Sequence, residues 1–267
     1  MAQTHDIRIA AQLHPQHGDF ADLRAAAIQA EEMRFDIVYT WDHFYPLYGE
    51  RDGKHFECWT TLAALAEATS RIEIGPLVAC NSYRNPHLVA DMARTIDHIS
   101  EGRFILGLGS GWFRRDYEEY GYDFGSAASR LRDLERNLPE IERRLGRLNP
   151  APVREMPILI AGTGEQITTR LVARHADSWH AKFPDDPEDV MPALQALAQW
   201  CEVEQRDPNE IEKGLGLEPD DLDRFLAEDV DEYVELGFTQ FTLGFNGPGW
   251  DVSGGQAWLE WRDVRNG

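Results

Sequence analysis

In Thr40-Trp41-Asp42-His43-Phe44 a carboxylate and an imidazole stand side by side. An imidazole, with an ordinary pKa of about 6.5, can take or give a proton at neutral pH, and an adjacent carboxylate can orient it or a bound cofactor. The same dipeptide also suits a turn, with the Asp as a cap and the His bonded to backbone. His14 and His17 form a second histidine pair, but no thiolate or carboxylate stands near them at a ligand spacing, so no metal site is expected.

Two stretches offer chemistry through their backbone. Gly107-Leu108-Gly109-Ser110-Gly111-Trp112 sets three glycines at alternate positions, where a planar ligand could approach the chain and an aromatic ring could wall the pocket. The spacing is not GxGxxG, so a dinucleotide fingerprint is excluded. Ile158-Leu159-Ile160-Ala161-Gly162-Thr163-Gly164-Glu165 runs into the helical pattern QITTRLVARHA. Small residues at a helix start leave backbone amides for an anion, which makes Ala161, Gly162, Thr163 and Gly164 the best phosphate-binding candidates. The lysine of a P-loop is absent, which argues against nucleoside triphosphate hydrolysis.

These residues need elements to hold them. Short β-type runs alternate with amphipathic helical segments about eight times. The strands are expected at Ile7 to Leu13, Asp36 to Trp41, Ile72 to Ala79, Arg103 to Gly109, Pro157 to Ala161, Asp177 to Lys182, Ile211 to Leu217 and Phe238 to Phe245. Helices such as FADLRAAAIQAEEMR and HLVADMARTIDHIS follow them. Such alternation implies a parallel sheet, and eight units in this length fit a single α/β domain over residues 1–267, a closed (β/α)8 TIM barrel, better than an open doubly wound sheet. A barrel carries its chemistry just past the C-terminal ends of its strands, where all the stretches above fall.

The formal net charge of -21 repels phosphate backbones and anionic lipid, so nucleic-acid and membrane partners are not expected. No apolar run approaches the roughly 20 residues of a membrane span, and the first residues lack the pattern of a secretory signal, so a cytoplasmic location is expected. Cys58, Cys80 and Cys201 are odd in number and form no CxxC pair, and they read as buried, reduced thiols.

Taken together, FDIVYTWDHF, the long stretch from WTTLAALAEATS through GLGSGWFRRDYEEYG, and PILIAGTGEQITTRLVARHADSW make the chain resemble the luciferase-like monooxygenase superfamily, in its actinobacterial branch of F420-dependent oxidoreductases. The resemblance implies a cofactor ring, coenzyme F420 or alternatively FMN, in the mouth of the barrel and hydride transfer to or from a small organic substrate. It implies that Asp42 and His43 flank the ring, with His43 as the catalytic group. It implies that Pro76, Leu77 and Val78 include a cis non-proline bond against the ring, that Gly109, Ser110, Gly111 and Trp112 border it, and that Ala161 to Gly164 hold its phosphate. Trp112 stands where sugar-phosphate dehydrogenases of the family carry a glutamate, which argues against a sugar-phosphate substrate. A short connection, RRLGRLNPAPVREMPI, precedes the fifth strand. Its shortness implies an open mouth, a bulky substrate, or a partner subunit acting as lid, as in a homodimer. An FMN-dependent monooxygenase and a flavin- or deazaflavin-binding protein without turnover are the competing readings.

Overall fold

A computed structural model describes residues 5–181 and 186–267. Nine strands run parallel: β1 (Arg8–Leu13), β2 (Ile37–Thr40), β3 (Glu73–Pro76), β4 (Ala79–Cys80), β5 (Leu106–Gly109), β6 (Ile158–Ala161), β7 (Ser178–Ala181), β8 (Glu212–Leu217) and β9 (Phe238–Phe245). Their order is β3-β2-β1-β9-β8-β7-β6-β5-β4. The two ends of that order meet, because Ile74 N donates to Arg103 O at 3.0 Å, Ile105 N donates to Ile74 O at 2.9 Å, and Ala79 and Cys80 pair with Leu108 and Gly109. The sheet is therefore a closed barrel in which β3 and β4 are two pieces of one stave. Lys182, the last residue of the expected sixth strand, lies outside the described residues. Among the described residues no helix is long and apolar enough to cross a membrane.

Around the barrel lie α1 (Phe20–Met33), α2 (Cys58–Ala68), α3 (Pro86–Ile99), α4 (Arg114–Tyr120), α5 (Ala127–Leu145), α6 (Thr168–His175), α7 (Met191–Glu204), α8 (Leu222–Glu228), α9 (Val230–Glu235) and α10 (Gln256–Asn266). Local chemistry sets their starts. Asn85 caps α3 by accepting from His87 N at 2.9 Å, with Pro86 in the first turn, where its missing N–H costs nothing. Glu57 caps α2, accepting from Trp59 N and Thr60 N.

Alternation along each strand divides the core in two. Ile9, Ala11 and Leu13 pack outward with the helices, whereas Ala10, Ile37, Tyr39, Ile105 and Leu159 fill the barrel's interior. Below them Arg8 forms ion pairs with Glu73 and Glu212, and Glu212 also accepts from Gln240 Nε2 at 3.0 Å. Each buried charge is thus answered by another.

The third stave departs from the continuous strand expected over Ile72 to Ala79. The chain takes five residues from Ile74 to Ala79, while its neighbour takes four from Phe104 to Leu108, so one residue bulges. The Leu77-Val78 peptide bond in this bulge is cis. Leu77 N donates to Thr40 O at 2.8 Å, and Leu77 O accepts from Gln12 Nε2 at 3.0 Å. The bulge also explains the alternating glycines. A Cβ on Gly107 would run into the Pro76 carbonyl, one on Gly109 would lie 2.6 Å from Val78 Cγ2, and one on Gly111 would meet Tyr117 Oη and Cys80 Sγ. Their bareness makes room for the chain's own bulge and for α4.

The connection RRLGRLNPAPVREMPI also lies elsewhere than expected. It leads from α5 to the start of β6, and Arg154 within it pairs with Glu73 at the start of β3. It runs beneath the end of the barrel opposite the functional loops, so its length leaves the mouth unaffected.

The glycine packing gives a stability test. Gly109→Ala is expected to cost about 1–3 kcal/mol through overpacking against Val78. Most of that cost should vanish in a Val78→Ala background, as measured by urea unfolding. An equal loss in both backgrounds would show that the two residues do not meet.

Candidate active site

At the C-terminal ends of the strands a cavity of about 610 Å³ opens inside the barrel. Its wall brings together Asp42, His43, Leu77, Val78, Gly109, Ser110, Gly111, Trp112, Ala161 and Gly162, all singled out in the sequence. Of the remaining candidates, Pro76 lies in β3 beneath the bulge, and Thr163 and Gly164 are exposed beyond the cavity's wall.

The two members of the Asp42-His43 pair do different work. Asp42 is buried, and both its oxygens are occupied: Oδ2 accepts from Arg84 Nη1 at 2.6 Å and from Cys80 N at 2.9 Å, and Oδ1 accepts from Arg84 Nη2 at 3.0 Å. Burial pushes its carboxyl upward from the usual range, while Arg84 and the Cys80 amide pull it back. Arg84 bridges onward to Glu57 Oε1 at 2.8 Å, so one guanidinium ties the cap of α2 to the end of β2, and Asp42 in turn holds the end of β4 through the Cys80 amide. Asp42 therefore acts as a strut beside the cavity.

His43 faces Asp116, a residue that sequence reasoning did not single out. His43 Nδ1 lies 2.7 Å from Asp116 Oδ2. The same oxygen accepts from Tyr83 Oη at 3.0 Å, and Oδ1 accepts from Phe44 N at 3.2 Å. Asp116 has no exposure at all. A carboxylate that accepts from donors on both oxygens takes the imidazole as a further donor, which places a proton on Nδ1. That leaves Nε2 as the nitrogen to serve the cavity, the arrangement by which buried carboxylates orient catalytic histidines. Asp116 comes from the first turn of α4, where an acidic residue usually serves the helix dipole. Asp116 and Tyr117 are the buried residues of α4, a fact that the spacing in RRDYEEY does not signal.

Aromatic rings fill out the wall. Trp41 stacks on His14 with centroids 4.2 Å apart, and meets His43 edge-on at 6.1 Å. Trp112 stands edge-on to His43 at 5.7 Å and is 62% exposed at the rim. His14 and His17 diverge, since His14 Nδ1 meets Tyr48 Oη at 2.6 Å and Asn246 Oδ1 at 2.7 Å while His17 Nε2 meets the Tyr48 carbonyl. No metal-holding group of three His, Cys, Asp or Glu exists among the described residues. His14 and, on β7, His180 line the cavity, and burial lowers each to about 4, so both are uncharged at neutral pH. His180 Nε2 lies 3.2 Å from Thr242 Oγ1. Burial pushes the Cys80 thiol up to about 11, which leaves it protonated beside Tyr117 Oη.

The loop after β6 differs from the expected straight entry into a helix. A turn intervenes, and α6 begins only at Thr168. The Gly162 amide donates to His180 O at 3.0 Å, and the Gly162 carbonyl accepts from Trp179 Nε1 at 2.8 Å, so this residue extends the β6–β7 pairing. Its φ of +123° is one that glycine alone adopts easily. The amides of Thr163 and Gly164 take no part in these bonds.

Comparison with known proteins agrees with this architecture. The chain is 30% identical over 213 residues to an F420-dependent hydroxymycolic acid dehydrogenase of Mycobacterium tuberculosis, covering 73% of this chain and 58% of that protein. It is 31% identical over 170 residues to the pyrimidine monooxygenase RutA of Rhizobium rhizogenes, covering 56% of this chain and 47% of that one. The chain thus spans about half the length of these relatives. An F420-dependent secondary alcohol dehydrogenase, solved with an F420-acetone adduct, superposes with a TM-score of 0.82 at 17% identity over 96% of this chain and 98% of that one, which establishes the shared fold. The luciferase-like monooxygenase family model matches residues 4–219, and this chain belongs to that family.

Proposed function

We propose that this chain is an F420-dependent oxidoreductase acting in the cytoplasm on a small organic substrate, alone or as a homodimer. The observation that carries the reading is His43, fixed by a fully buried carboxylate and presented to a cavity at the strand ends. The likeness to an F420-dependent dehydrogenase supports the choice of cofactor.

The residues present fit such a group. A cavity of about 610 Å³ has room for a tricyclic ring, and the Leu77-Val78 bulge supplies one wall of it. At the rim, the Thr163 and Gly164 amides, left out of the β6–β7 pairing, would hold the phosphate. Bound F420 would supply or accept the hydride. The chain's own part is to seat the ring between the bulge and the loop after β6, to exclude water with Trp41 and Trp112, and to manage the proton. A substrate hydroxyl beside His43 Nε2 gives up its proton to the imidazole as its carbon is oxidised, and regains it in the reverse direction. Asp116 compensates the imidazolium that forms. Asp42 positions the strand end from which His43 projects.

The pyrimidine monooxygenase relative supports a second reading, an FMN-dependent monooxygenase built on the same cavity. Titration of the purified protein with F420 and FMN in parallel, followed through the fluorescence of Trp41 and Trp112, separates the two. Tighter binding of F420 is expected, and equal or reversed affinities would favour FMN.

His43→Ala should lower turnover by roughly 10² to 10⁴ with F420 affinity nearly intact. Asp116→Asn should also lower turnover while leaving F420 affinity within a few-fold, and Asp116→Glu should restore part of the loss. Steady-state kinetics beside binding titrations check both. Unchanged turnover in His43→Ala would reassign the histidine to structure.

A further inference from the structure

The cavity is short of positive charge. Among the described residues that line it there is no lysine or arginine. His14 and His180 are uncharged at neutral pH because burial lowers both. Arg84 is committed to Asp42 and Glu57 behind the wall. Arg114 and Arg115 follow Trp112 closely in sequence, yet they turn away from the cavity. The Arg114 guanidinium lies 4.2 Å from the Phe124 ring centroid and pairs with Glu118, and that of Arg115 lies 3.9 Å from the Tyr45 centroid and pairs with Asp52. An anionic group placed inside would leave water without a cation to answer it, which is strongly unfavourable.

What the wall offers instead is aromatic surface. Trp112 presents most of its indole at the rim, although it contacts His43 and Phe113. Its centroid stands 5.7 Å from that of His43, so a flat body laid against the indole brings a group on its edge within reach of the imidazole. The wall thus has a platform and one proton-handling group, with no lysine or arginine anchor among its described members, while the acidic Glu218 also lines it.

We infer that the cavity selects an uncharged substrate with a flat apolar body and a hydroxyl or carbonyl group at its edge, seated on Trp112 with that group at His43. The inference rests on the reading of this cavity as a hydride-transfer site. It makes Trp112 a specificity-determining residue, and it excludes phosphorylated and carboxylated compounds as good substrates.

Equilibrium dialysis tests it with acetonaphthone, an uncharged ketone, and naphthoate, a carboxylate on the same ring system. Both are measured on the protein alone and on the F420-loaded protein. The ketone is expected to bind at least about tenfold more tightly than the carboxylate in both forms. Trp112→Ala should weaken the ketone by about tenfold, and Trp112→Phe should keep most of the affinity. Naphthoate binding as tightly as the ketone would overturn the charge argument, and an unchanged ketone affinity in Trp112→Ala would overturn the seat on the indole. If F420 itself does not bind, the proposed function fails, and the cofactor-free measurements still decide the substrate class.

Discussion

The mouth of this barrel is organised around a carboxylate that has no access to water. Donors meet both oxygens of Asp116: a backbone amide from Phe44, a phenol from Tyr83 and the imidazole of His43. His43 and Phe44 follow the end of β2 and Tyr83 stands in the turn after β4, so the carboxylate draws these two segments and the first turn of α4 onto one point. Removing any donor leaves part of a buried charge unanswered, which is among the costlier changes a folded protein can suffer. The orientation of His43 follows from this electrostatic requirement.

A second carboxylate repeats the logic with a different outcome. Asp42 is equally hidden, but its partner is a guanidinium that binds both its oxygens and also Glu57. Adjacent residues in the chain thus become a strut and an imidazole presented to the cavity because their neighbours differ. The bulge in the third stave completes the arrangement. It is held by Gln12 and Thr40 and accommodated by Gly107 and Gly109, so this wall of the cavity is built from backbone that bonds on both sides fix in place.

Much of this was legible in the residues. Alternation of β and helical patterns reports burial periodicity directly, and it placed the barrel and the loops that carry Asp42, His43, Trp112 and Gly162. What it missed depends on distance in the chain. Asp116 lies 73 positions from His43, and nothing in RRDYEEY distinguishes a site residue from a helix-dipole carboxylate. The glycines of GLGSG gave no sign of Val78 and Tyr117 packed against them, because a sequence does not show which chain passes opposite. The Gly162 amide read as unpaired because its partner, the His180 carbonyl, belongs to another strand. The shortness of the connection before β6 read as bearing on the mouth because its end of the barrel follows only from the direction of the strands.

The claim on which the account most depends is that Asp116 dictates which nitrogen of His43 faces the cavity. Nitrogen-15 NMR of histidine-labelled protein at neutral pH, with the His43 signals identified by their loss in His43→Gln, measures this directly. The account predicts a proton on Nδ1. A His43 ring with Nδ1 unprotonated and its proton on Nε2 would contradict it.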